Sequence, residues 1–157
     1  RAAARPAKHL ADMVTGTCHV SRIVGDEVLY MLEVPSANAP RLITGEGVRL
    51  PAMKTASGKA MLAFMDDTRI SAVLGHVPAE LREVCERGYA EEIEVVAPGQ
   101  ETVAVPILNH LHKPAAALAV TFAKGSLTKD VRETLVEDLQ IRAAGLEKRV
   151  FGQSTRR

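Results

Sequence analysis

Thr55-Ala56-Ser57-Gly58-Lys59 sets two hydroxyls, a glycine and an ammonium side by side, just before the apolar run Ala60-Met61-Leu62-Ala63-Phe64-Met65. The hydroxyl of Thr55 or Ser57 can accept from a free backbone N–H of a first helical turn, and Ala60 to Met65 are mostly good helix formers. A helix is therefore predicted to begin near residue 56. Small side chains at Ala56, Ser57 and Gly58 leave its first N–H groups, and the positive end of its dipole, open to a carboxylate or phosphate. A capped core helix with no ligand has the same local pattern. A nucleotide-binding P-loop would need glycine at the position of Met53 and Ser or Thr at that of Ala60, so ATP or GTP hydrolysis by that route is excluded.

Other groups are candidates for chemistry, but none forms a constellation. His110-Leu111-His112 and Cys85 offer three metal ligands without a spacing that supports zinc, and no metal site is expected. Cys85 and His76 pair on paper as nucleophile and base, yet a cysteine on the apolar side of a helix is more often core, which is the expectation for Cys85. Glu91, Glu92 and Glu94 lie in an extended acidic stretch with no second catalytic group marked beside them. Strand alternation would put Glu92 and Glu94 on one side, and an inward carboxyl at Glu92 reads as a ligand contact rather than a catalyst. Met53, Met61 and Met65 read as core or pocket lining. No catalytic residue and no cofactor is predicted.

Composition narrows the class further. With 157 residues, 46% hydrophobic and 25% charged, the chain can bury one sizeable core. Lys+Arg 20 against Asp+Glu 19 leaves a net charge of +1, so no global basic field points to nucleic acid. Aromatic residues make up only 3%, too few for base-stacking platforms. Two cysteines, Cys18 and Cys85, make no disulfide framework, which fits a reduced cytoplasmic compartment. No run is apolar enough to span a bilayer. The chain opens on Arg1 rather than Met, which suggests either processing or a fragment of a longer protein, and it is read as the fragment.

These candidates need elements to position them. Residues 2–14 read as a helix ending at Gly16, and 17–24 and 27–34 as a hairpin turning at Gly25-Asp26. A short strand is predicted around Arg41 to Ile43, then the central helix to about Met65. Residues 66–74 and 79–87 read as helices capped by Asp66 or Asp67 and stopped by Gly88. The acidic extended stretch follows to a turn at Pro98-Gly99, then strands over 102–108 and 115–123, with Pro106 marking an edge or bulge. Thr128 caps a final helix with a stripe of Val131, Leu135, Leu139, Ala143, Leu146 and Val150. Hairpin connections with helices segregated around them make the fold class α+β, with a mainly antiparallel sheet.

Three segments in register carry a resemblance. Leu50-Pro51 with Thr55-Ala56-Ser57-Gly58-Lys59-Ala60-Met61-Leu62-Ala63 is the first; Arg87-Gly88-Tyr89-Ala90 running to Gly99 and Val103-Ala104-Val105-Pro106 is the second; Ala115-Ala116-Ala117-Leu118-Ala119-Val120-Thr121 is the third. Together they are similar to the effector-binding domain of IclR-type bacterial transcription regulators, from about Leu10 to Val150. The resemblance implies a GAF/PAS-like sheet with flanking helices, a long C-terminal helix and a cupped small-molecule pocket. It further implies a winged helix-turn-helix that binds DNA, absent from this chain, and assembly as a homodimer or homotetramer. Residues 1–15 would then be a linker helix and 16–157 the effector-binding domain.

By the same resemblance a small carboxylic acid effector lies against the amides of Ala56 and Ser57, with Leu50 as apolar wall. Polar positions fall on Glu92 and Thr102, and two last-strand positions on Ala119 and Thr121. Ala119 offers no hydroxyl, and Glu92 would repel an anion unless protonated or set to receive a ligand hydroxyl, so the expected effector has one anionic end and a hydroxyl or apolar end. The expectation is a ligand-sensing domain rather than an enzyme. Two alternatives stand beside it: a GAF-like enzyme such as a thiol-dependent reductase using Cys85, and a purely structural dimerisation module, which would have no ligand-sized pocket.

Overall fold

The computed structural model of the chain describes residues 2–42 and 44–152. In order these form α1 (Ala4–Val14), β1 (Thr17–Val24), β2 (Glu27–Pro35), β3 (Arg49–Pro51), a 3-10 turn (Ala52–Lys54), α2 (Ala56–Leu62), α3 (Asp67–Leu74), α4 (Ala79–Arg87), β4 (Ala90–Ile93), β5 (Gln100–Leu108), β6 (Pro114–Ala123) and α5 (Lys129–Phe151). The strands make one sheet in the order β3-β2-β1-β6-β5-β4, and every pairing is antiparallel. The expected α+β architecture, GAF-like with a long C-terminal helix, is the one observed.

Side-chain alternation divides the sheet into two apolar layers. Cys18, Val20, Val103, Val105, Leu118, Val120 and Phe122 face α1 and α5, where they meet Leu10, Val14, Leu135, Leu139 and Leu146. Val28, Tyr30, Ala104, Ala117 and Ala119 face α2, which brings Ala56, Ala60, Met61 and Leu62 down onto them. Ile70 of α3, with Leu81 and Val84 of α4, closes that layer from outside. The alanines under α2 matter because a helix can sit close to a sheet only where the strand side chains are short.

Caps form where hydroxyls and carboxylates precede helices. Thr55, Asp66 and Thr128 each accept from the backbone three residues on, leaving α2, α3 and α5 with a satisfied first turn. α1 runs to Val14 as expected, but its cap is Thr15, in the left-handed conformation (φ 50), rather than Gly16, whose amide donates to the Ala11 carbonyl. Gly16 has a different role: a Cβ there would sit 2.3 Å from the Thr121 carbonyl oxygen.

Several expectations are corrected. The third strand is Arg49–Pro51, paired with β2; Arg41 and Leu42 are irregular, and Ile43 lies outside the described residues. Pro51, Pro40 and the turn glycines between them delay the return of the chain to the sheet. In the α5 stripe, Leu135, Leu139, Ala143 and Leu146 are buried, but Val131 and Val150, at its two ends, are 40% and 59% exposed. Next to Leu146, Glu147 is fully buried and accepts from the Leu108 amide at the end of β5. Pro106 lies beyond the stretch of β5 paired by β4, consistent with an edge position. Cys85 is exposed on α4 rather than core.

Two glycines test this packing. A Cβ on Gly58 would lie 2.1 Å from the Ala52 carbonyl oxygen, whereas one on Gly145 meets nothing. Gly58→Ala is expected to destabilise the domain by at least about 2 kcal/mol, and Gly145→Ala to stabilise it by about 0.5–1 kcal/mol. Denaturant titration of the two variants beside the parent protein measures both.

Candidate functional site

The two hydroxyls and two amides at the start of α2 are sorted by the fold. Thr55 is the cap: its Oγ1 accepts from the Gly58 amide at 2.9 Å and donates to the Ala52 carbonyl at 3.1 Å. The Lys59 amide goes to the Thr55 carbonyl. The amides of Ala56 and Ser57 are left with no hydrogen-bond partner among the described residues. Both residues line a small cavity between α2, the middle of the sheet and the 94–100 turn. An acceptor at the closed end of that cavity would meet two donors at the positive end of a short helix.

Most of the other side chains at the cavity carry polar groups, although the surface they present is mainly apolar. Thr102 on β5 and Thr121 on β6 are directly paired in the sheet, and their hydroxyls hydrogen-bond at 2.8 Å. His19 on β1 is 3% exposed, with Nε2 2.9 Å from Glu33 Oε1 and its ring edge-on to Tyr30 at 5.1 Å. Thr44 Oγ1 donates to the same Glu33 oxygen. Tyr30, Thr44 and Gln100 also line the cavity, beside the apolar side chains of Leu42, Val96 and Ala97. Burial, with the carboxylates of Glu92 and Glu33 adding to it, pushes the Tyr30 hydroxyl up to about 12, so it is neutral and can donate at physiological pH.

Glu92 points inward on β4, as expected, and is buried. Its Oε2 accepts from the Val95 amide at 3.0 Å, which ties the turn over the cavity to the strand leading into it. Burial raises its pKa, while the amides of Val95 and Val96, the Thr102 hydroxyl and the Lys59 ammonium oppose the rise. Glu94 does not share that side. Strand β4 ends at Ile93, Glu94 has φ 58, and its carboxylate turns outward to Lys124 and the Gly99 amide. The left-handed residue breaks the alternation on which the expectation rested.

Of the seven positions marked in the sequence, Ala56, Ser57, Glu92, Thr102 and Thr121 meet at this cavity. Ala119 sits two residues from Thr121 on the same strand face but is covered by α2, and Leu50 packs on β3 at the margin of the same apolar layer; neither lines the cavity. His19, Tyr30, Leu42, Thr44, Gln100, Val96 and Ala97 were missed. A signal existed for His19: Thr17-Cys18-His19-Val20-Ser21 alternates polar with apolar, and the polar face is buried here rather than solvated. Elsewhere, Lys59 is 3.3 Å from Glu80, a surface pair rather than a phosphate cradle. His110 and His112 are exposed in a loop, and among the described residues no group of three or more His, Cys, Asp or Glu is placed to hold a metal. Cys85 lines a separate depression with Ile70, Leu81 and Arg82, not the cavity.

No helix among the described residues is long and apolar enough to cross a membrane. The probable transcriptional regulator SauR of Cupriavidus necator is 29% identical over 165 residues, covering 94% of this chain and 66% of that protein. The Pca regulon regulatory protein of Pseudomonas putida is 29% identical over 143 residues, covering 79% of this chain and 48% of that protein. The chain thus spans about half to two thirds of the length of these curated relatives. Among solved structures, the Thermotoga maritima IclR has a TM-score of 0.87 at 22% identity, covering 95% of this chain and 67% of that one, and shares its fold. The C-terminal domain of the E. coli transcriptional regulator KdgR has a TM-score of 0.79 at 23% identity, covering 91% of this chain and 92% of that one. The family model for the bacterial transcriptional regulator IclR C-terminal region matches residues 1–147. With the sheet order, the capped α2 and the cavity beside it, that match makes this chain a member of the IclR family of transcriptional regulators, corresponding to their C-terminal domain.

Proposed function

We propose that this domain senses a small hydroxylated carboxylic acid and that its occupancy alters DNA binding by a longer protein of which it is part. The observation that carries the reading is the pair of amides, Ala56 and Ser57, without a hydrogen-bond partner among the described residues and lining the same cavity as Thr102, Thr121, Glu92 and His19. A carboxylate is the ligand that satisfies both donors and gains from the helix end. Thr102, Thr121, Tyr30, His19 and Gln100 then favour a hydroxyl-bearing remainder over an apolar one, since an apolar group would strip these side chains of partners. Glu92 fits the same choice as an acceptor for a ligand hydroxyl. Ligand binding works as a switch only if it favours one of two arrangements. Residues 1–15 would link the DNA-binding segment to the sensor, and the burial of Leu10 and Val14 against α5 and the sheet gives that link a firm purchase. The active form would be a homodimer or homotetramer working in the cytoplasm. The exposed position of Cys85, apart from the cavity, supports sensing over a thiol-dependent enzyme, and the cavity itself supports sensing over a purely structural module.

A thermal-shift panel of short acids tests the ligand class. Hydroxy acids are expected to raise Tm more than unsubstituted acids of equal length; a folded protein that no acid stabilises would refute the reading. Ala56→Pro removes one amide donor while Thr55, already extended (φ −113, ψ 146), suits the residue before a proline. With folding confirmed by circular dichroism, it is expected to weaken the best acid by about tenfold or more; unchanged affinity would dismiss the amide floor.

Glu92 provides a test by pH. Because burial lifts its pKa above the ordinary 4.5, the folded state holds that proton more tightly than the unfolded chain. The stability it contributes is fully present below pH 4.5 and is lost as pH rises through the folded value. Without ligand, Glu92→Gln should therefore gain stability relative to the parent between about pH 4 and about pH 7. Melting curves across that range check it, and a difference that stays flat or falls would contradict it.

A further inference from the structure

On the α1–α5 side of the molecule, away from the cavity, three arginines converge. Arg5 of α1 and Arg142 and Arg149 of α5 line a depression with Pro6, and Arg142 and Arg149 continue into a second one floored by Leu146. The two adjoin through Pro6 and enclose about 600 and 430 Å³ of empty space open to solvent. None of the three guanidinium groups pairs with an acidic side chain among the described residues. Nearby acids are directed elsewhere: Asp12 holds Lys8, Asp138 faces His9, and Glu147 is buried accepting from the Leu108 amide. The first turn of α1 contains no acidic residue either.

The second observation is inside the cluster. Arg142 Nε is buried and has no hydrogen-bond acceptor among the described residues. A buried cationic donor without an acceptor is costly, and an incoming acceptor oxygen relieves it. Among the described residues, Arg149 donates one long hydrogen bond, 3.4 Å, to the Ala2 carbonyl. Three guanidinium forks around one depression exceed what a monocarboxylate can use and match the oxygens and charge of a phosphate group.

We propose that the Arg5–Arg142–Arg149 groove binds phosphate, either as a free phosphorylated small molecule or as the backbone of DNA. It is separate from the acid-sensing cavity and does not depend on it. Its location on α1 and α5, the two helices that share one apolar layer, means that an occupant bridges both. The test is calorimetric titration of the 157-residue chain at low ionic strength with pyrophosphate, alongside fluorescence anisotropy with a short DNA duplex of arbitrary sequence. Saturable pyrophosphate binding without DNA binding assigns the groove to a small molecule; DNA binding, with or without pyrophosphate, assigns it to the backbone. In either case Arg5→Ala and Arg142→Ala should each weaken binding by about tenfold, while Arg22→Ala, exposed on β1, should not. Arg5 is exposed, so its variant reports even if Arg142→Ala unfolds. No binding to either probe, or parental affinity in the Arg5 variant, overturns the proposal.

Discussion

The contact on which the rest of the structure depends is the seating of α2. Gly58 lies over the Ala52 carbonyl with no room for a side chain, and Ala56 and Ala60 rest on the alanines of β5 and β6. That close approach spends the Gly58 amide on the Thr55 hydroxyl and leaves the two preceding residues, Ala56 and Ser57, lining the cavity. A larger residue at any of these points would lift the helix, and the donors would leave the cavity with it.

Around that helix the protein buries polarity rather than excluding it. Buried polar groups are tolerated where partners are at hand, and here the partners are local. Thr102 answers Thr121, Glu33 answers both His19 and Thr44, and Glu92 holds the Val95 amide. The same side chains that satisfy one another in the absence of ligand can exchange those bonds for bonds to a guest. Glu92 has two duties in this arrangement, because it lines the cavity and anchors the turn above it.

The opposite face is held by apolar packing supplemented by charge. Arg132 of α5 reaches both Glu91 and Glu101, with its guanidinium over the Phe122 ring, and so ties β4 and β5 to the long helix. α1 is pinned there as well by Leu10, Ala11 and Val14. The cavity face and the α1–α5 face share the same strands, so a shift of β5 or β6 on one side is felt by the helices on the other.

Local chemistry was enough to read the α+β class, the hairpin, the caps at Thr55 or Ser57, at Asp66 or Asp67 and at Thr128, and Ala56, Ser57 and Glu92 as ligand contacts, while Thr102 and Thr121 came from the family resemblance. Each local reading depends on neighbours in the chain: a hydroxyl three residues before an amide, a glycine after a helix, an apolar residue every second or every third and fourth position. What only the tertiary structure decided is which polar face becomes interior. His19, Tyr30 and Thr44 come from strands and a loop far from α2 in sequence, and Glu94 leaves the cavity because one residue takes a positive φ. Leu50 and Ala119 sit beside the cavity without entering it for a similar reason, since their surroundings are set by how closely α2 descends. Periodicity records that a strand has two faces; whether the second faces water or a buried pocket depends on what the rest of the chain lays over it.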